Sequence, residues 1–198
     1  MKNMSTKSFT IIVFIIVIAG LGYYTCLNNQ TKKQKELNTQ TEAQQLLEYD
    51  FEGNYPKTVR ETVKLHCRYL KNAYNGKFSE EDLYTVNLKI RELLDEDLLA
   101  NNPEEQQLQG LKDDIVLYEE NKQKFTGYSL QESSQIKYNT EDGKDYAKIS
   151  ATLNFTVGSS ALSVEQEYLL RKDENGKWKI LGWQTVKTGE NQNKGDAK

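Results

Sequence analysis

The sequence predicts an α+β fold: three helices packed on a curved four-stranded antiparallel sheet, carried behind an N-terminal transmembrane helix. Three observations predict it. Residues Phe9 to Leu27 form one unbroken apolar run, FTIIVFIIVIAGLGYYTCL. From Pro56 to Tyr118 apolar residues recur at the helical period of about 3.6. After Gly127 the period falls to 2, the mark of strands with one buried face.

The apolar run holds nineteen residues without a charge. As a helix rising about 1.5 Å per residue, it matches a bilayer core of roughly 30 Å. Tyr23 and Tyr24 fall near its end, where aromatic side chains favour the membrane–water boundary. A cleavable signal peptide would be cut at Gly20-Leu21-Gly22, yet the run continues past that point. A lipoprotein would carry its lipid on Cys26, but the preceding Tyr23-Tyr24-Thr25 suits that modification poorly. A retained anchor over 9–27 accounts for the whole run. Lys2 and Lys7 stand on one side and Lys32, Lys33 and Lys35 on the other, so the positive-inside count is nearly tied. The short tail, 1–8, is expected to stay cytoplasmic, which places the C-terminal domain outside the cell membrane.

Composition bounds the rest. The chain has 198 residues, 37% of them hydrophobic, with a net charge of −3. Beyond the anchor this is enough for one domain of ordinary size. Charge is unevenly spread. Glu80 to Glu120 carries thirteen acids and three bases, whereas Asn121 to Lys187 carries eight acids and ten bases. The acidic half gives nucleic acid no electrostatic footing, and its plain reading is a set of solvated helix faces. The sharper reading is a surface for a basic partner or for cations. The two cysteines, Cys26 and Cys67, sit in separate elements and make no disulfide framework; Cys67 reads as a small buried apolar residue.

The elements follow in order. Residues 28–47 are rich in Asn, Gln, Thr and Lys and read as a polar tether. The folded domain is expected over 48–188, and 189–198 as a disordered tail. Pro56 suits a first helical position, followed by Val59, Val63, Cys67, Leu70 and Tyr74 at helical spacing and an Asn75-Gly76 stop. Ser79 and Asp82 give a capping signal for a second helix with Leu83, Val86, Ile90, Leu93 and Leu94. Asn102-Pro103 opens a third, carrying Leu108, Leu111, Ile115 and Tyr118. The first strand is expected over Tyr128–Tyr138, with an Asp142-Gly143 hairpin turn after it. Ala147 to Val157 alternates cleanly. Gly158-Ser159-Ser160 leads to Ala161–Lys172, and Asn175-Gly176 turns the chain into Lys177–Lys187.

Helices followed by a meander, closing on Asp173-Glu174-Asn175-Gly176-Lys177-Trp178-Lys179-Ile180, resemble nuclear transport factor 2-like domains. These are cone-shaped α+β folds whose curved sheet wraps on helices. The resemblance covers roughly Tyr55 to Lys187. It implies small-molecule pockets with or without catalysis, dimeric scaffolds, or membrane-tethered parts of secretion or conjugation machines. The whole chain also resembles small single-pass proteins of Gram-positive bacteria of unknown function. No catalytic residue carries over by position, and fold alone licenses no function.

Three polar residues fall in phase with apolar neighbours: Glu132 after Tyr128 and Leu130, Gln166 between Val164 and Tyr168, and Gln184 between Gly182 and Val186. If the sheet curls, they line a concave pocket together with Tyr168, where a buried carboxylate can act as a base. The plainer reading is that strand ends run past the core and these residues meet water. His66, the one histidine, lies at the margin of the first helix and reads as partly buried with a local hydrogen bond. Asp95-Glu96-Asp97 lacks the central glycine of a calcium loop and reads as an exposed helix end. Trp178 and Trp183 alternate onto opposite faces of the last strand. No catalytic residue, metal site or cofactor is expected. The expected function is that of a non-enzymatic binding or scaffold module of the cell envelope. Its partners would be the membrane, an envelope protein or a small ligand, with a homodimer through the sheet also open. The alternatives are a pocket enzyme of isomerase or dehydratase type and a component of a secretion or conjugation machine.

Overall fold

The computed structural model describes residues 40–191. Within them the fold is α+β, with five helices ahead of five strands. The helices are α1 (Glu42–Leu47), α2 (Val59–Tyr74), α3 (Asp82–Arg91), α4 (Glu96–Asn101) and α5 (Glu104–Glu120). The strands are β1 (Gln123–Leu130), β2 (Lys137–Glu141), β3 (Lys144–Val157), β4 (Ser160–Lys172) and β5 (Trp178–Asn191). The apolar run Phe9–Leu27 lies outside the described residues, among which no helix is long and apolar enough to cross a membrane.

Local chemistry sets the helix ends. The long helix α2 starts at Thr58, not at Pro56. The Thr58 hydroxyl accepts from the Glu61 N–H (3.1 Å) and Glu61 Oε2 accepts from the Thr58 N–H (3.1 Å). This capping box satisfies two N–H groups that have no partner inside the helix. The Ser79–Asp82 signal is realised ahead of α3: the Asp82 N–H donates to Ser79 Oγ (3.2 Å). Asp95 caps α4 by accepting from the Asp97 N–H (3.0 Å). The polar tether expected over 28–47 gives way from Glu42 to α1, whose Leu46 is fully buried while its carbonyl accepts from the Tyr69 hydroxyl (2.8 Å).

The sheet runs β1-β3-β4-β5, with β2 pairing the other half of β3. The expected single strand Tyr128–Tyr138 is therefore two. Gln131 closes the first of them, its N–H donating to the Ser150 carbonyl (2.9 Å) and its side chain accepting from the Ser150 N–H (2.9 Å). A short 3-10 turn at Ser133–Gln135 follows and the chain re-pairs as β2. Asp142 and Gly143 both take positive φ (50° and 74°), as the tight two-residue hairpin between β2 and β3 requires. Ala147, Ile149, Ala151, Leu153 and Phe155 of β3 are buried against the helices, as their alternation predicts.

Two details shape one end of the sheet. Leu169 pairs with Gly182 but Leu170 pairs with Ile180, so Leu181 is an extra residue on β5. This bulge reverses the alternation beyond it. Outside the strands proper, Leu94 bridges Ile180: the Asp95 N–H donates to the Ile180 carbonyl (2.8 Å) and the Ile180 N–H to the Leu93 carbonyl (2.8 Å). The α3–α4 junction is thus bonded to the sheet edge.

Candidate functional site

A cavity of about 430 Å³ opens between the helices and the inner face of the sheet. It is within the usual size range of small-molecule sites. Helical spacing builds one wall. His66, Leu70 and Tyr74 stand one above another on α2, Asn87 and Ile90 face them from α3, and Leu111, Asp114 and Tyr118 come from α5. The sheet supplies Leu153 and Phe155 from β3, Val164 and Gln166 from β4, and Trp183 from β5. Most of the wall is apolar. Gly110 of α5 also lines it, and a Cβ placed there would meet nothing within 4 Å.

Asn102, Gln106, Gln107 and Gln123 add polar side chains to the wall, and three further sets of polar groups are fixed by burial or pairing. At the sheet side, the buried Tyr168 hydroxyl donates to Gln166 Oε1 (3.1 Å) and stands 3.4 Å from His66 Nδ1. The Trp183 ring packs against both, its centroid 5.1 Å from that of His66 and 5.9 Å from that of Tyr168. Burial depresses the His66 pKa to about 4, so the imidazole is neutral near pH 7. Burial pushes the adjacent Cys67 thiol up to about 12, which leaves it unreactive. On the helix side, the Tyr74 hydroxyl donates to Asp114 Oδ2 (3.2 Å), and Tyr74 stacks on Tyr118 with ring centroids 4.4 Å apart. Burial first, and the Asp114 charge second, raise the Tyr74 pKa.

The third set is Asn87 alone. It is fully buried, its Nδ2 donates to the Glu104 carbonyl (3.3 Å), and its Oδ1 has no partner among the described residues. Its orientation is fixed, because a carbonyl can only accept and the amide nitrogen must face Glu104. An orphaned buried acceptor costs about 1–3 kcal/mol.

The residues singled out from sequence are divided by the structure. Gln166 lines the cavity and Tyr168 lies directly behind it. Glu132 does not share that cavity: it precedes the turn that splits β1 from β2 and is exposed. Gln184 is also exposed. The Leu181 bulge moves it to the outer face, where its Nε2 lies 3.4 Å from Glu167 Oε1. The same bulge brings Trp183 inward, so the two tryptophans do not lie on opposite faces. His66 is buried more deeply than its place at the stripe margin predicts. Asp95 is no exposed helix end: it is buried, and the Arg171 guanidinium grips it through both Nε (to Oδ2, 2.9 Å) and Nη2. Asp97 meets the same guanidinium at 2.8 Å. Among the described residues no group of His, Cys, Asp and Glu side chains is placed to hold a metal ion.

Asn87, Tyr74 and Asp114 were missed as site residues. Asn87 sits between Val86 and Leu88 on an apolar stretch, and that signal of a buried amide was legible. The Tyr74–Asp114 pair spans 40 residues of sequence and had no local signal. Comparison with curated proteins finds no match. A family model does match, over residues 1–183, a span that takes in every residue lining the cavity. The chain belongs to the family described as a domain of unknown function (DUF6715).

Proposed function

We propose that this chain is a single-pass, membrane-anchored binding module of the cell envelope. In this reading the N-terminus is cytoplasmic, and the extracytoplasmic domain takes a small molecule with an apolar body between α2, α3, α5 and the sheet. The observation that carries the reading is the open, mostly apolar cavity, kept unfilled although Gly110 has room for a side chain. Protein interiors otherwise close such spaces, because each costs dispersion contacts. The likeness to nuclear transport factor 2-like domains supports it, since those folds also place pockets between a curved sheet and its helices. The charge-free run Phe9–Leu27 supports the anchor.

The test compares the protein purified from its own membrane with the Gly110→Phe variant by native mass spectrometry. A small-molecule adduct on the first that is missing from the second, both being folded, is the expected result. An unliganded natural protein that also gains no thermal stability from any small molecule in a broad screen would remove the reading. Protease added to intact cells is expected to digest the C-terminal domain; protection there would reverse the topology. The isomerase or dehydratase alternative keeps one observation in its favour: a neutral imidazole (His66) and a carboxylate (Asp114) face one cavity. Conversion of the bound molecule by the natural protein, lost in Asp114→Asn at ligand concentrations that still saturate the variant, would select it.

A further inference from the structure

The cavity's polar groups select a ligand of one charge. Its lining holds a single ionisable carboxylate, Asp114, and contains no Lys or Arg. Two of the helices that form its wall, α3 and α5, lie in the segment Glu80 to Glu120, where thirteen acids face three bases. The segment that supplies these helices is therefore net negative. The lysines Lys71, Lys77, Lys122 and Lys124 line an adjoining recess that shares Tyr74, Tyr118 and Gln123 with the cavity. Aromatic side chains are part of the lining, among them Trp183, 44% exposed although stacked on Tyr168, and Tyr118. Their faces attract cations.

The independent observation is Asn87. Its Oδ1 is a buried acceptor without a donor, on a side chain that lines the cavity and is held in place from behind by Glu104. Only an N–H or O–H can satisfy it. The oxygen is sealed from bulk water.

We infer that the ligand is a small organic ammonium: a primary or secondary amine, protonated at neutral pH, joined to an apolar body. The apolar part fills the cavity among the leucines. The N–H groups satisfy Asn87 Oδ1, and the positive charge is drawn in by Asp114 and the acidic helices. This rests on the reading of the domain as a small-molecule binder and adds the chemical class. A neutral apolar ligand leaves the field unused, and an anion is opposed by it.

The experiment is calorimetric titration of the full chain in nonionic detergent with three probes of one shape: 2-phenylethylamine, 2-phenylethanol and phenylacetate. Empty micelles serve as the blank. The amine is expected to bind about three- to fivefold more tightly than the alcohol, the range for one partly exposed ion pair, and phenylacetate not at all. Asp114→Asn should bring the amine-to-alcohol affinity ratio down to about one. Asn87→Leu should weaken both about tenfold, the worth of one buried hydrogen bond. Phenylacetate binding as well as the amine, or an amine-to-alcohol ratio untouched by Asp114→Asn, overturns the ammonium assignment. Unchanged affinities in a folded Asn87→Leu overturn the role given to Asn87. In either case binding of the alcohol keeps the cavity reading alive. If none of the three probes binds, both fall. Should Asn87→Leu not fold, the three-probe series and Asp114→Asn still decide the assignment.

Discussion

His66 is the chain's one histidine, and it is buried against Tyr168 and Trp183, neither of which is charged at neutral pH. Its pKa is lowered from 6.5 to about 4 by burial. The unfolded chain therefore binds more protons than the folded one between those two values. The stabilising contribution is complete above about pH 6.5 and is lost as pH falls towards 4, on the order of 3 kcal/mol in all. Urea unfolding at pH 7.5 and pH 4.5 checks this: the fall in stability should be smaller in His66→Gln than in the natural protein, carboxylate titration being common to both. Sequence showed that His66 borders an apolar stripe. It did not show the depth, because Trp183, which covers the ring, reaches it only through a distant irregularity in β5.

That irregularity is a matter of elements. A strict period of 2 from Trp178 puts Gln184 inward, and one extra residue at Leu181 puts Trp183 there instead. Deleting Leu181 should remove the bulge and keep Trp183 inward and Gln184 outward, because Ile180, Gly182 and Trp183 already pair with Leu170, Leu169 and Tyr168 in strict succession. The expected readout is an unshifted tryptophan emission; a red-shifted emission would mean that Leu181 is not the extra residue that sets the facing. Bulges leave no compositional mark beyond a nearby glycine, here Gly182, so the in-phase reading of Gln184 had nothing to correct it. The division of Tyr128–Tyr138 was hidden for a similar reason. Gln131 ends β1 through its amide, and an isolated glutamine is not a stop signal. The three long helices and the β3 stripe, by contrast, were legible because their apolar spacing repeats over several turns or pleats.

At the scale of the whole molecule, the folded unit begins earlier than its polar sequence suggests. Glu42–Leu47 has one fully buried side chain, Leu46, fixed where Tyr69 bonds its carbonyl. Leu46→Ala should cost about 2–5 kcal/mol, read from denaturant midpoints, as a core truncation does. A cost below about 0.5 kcal/mol would return this segment to the tether, since surface changes stay within that range. Short helices of this kind escape sequence reading because one anchoring leucine makes no periodicity. The arrangement of Leu93 to Asp95 along Ile180 reaches furthest. Two main-chain bonds fasten that corner, and Arg171 clasps Asp95 beside it. The helical and sheet layers are therefore bound together there as pages are at a spine. The slowest-exchanging amides should include those of Asp95 and Ile180.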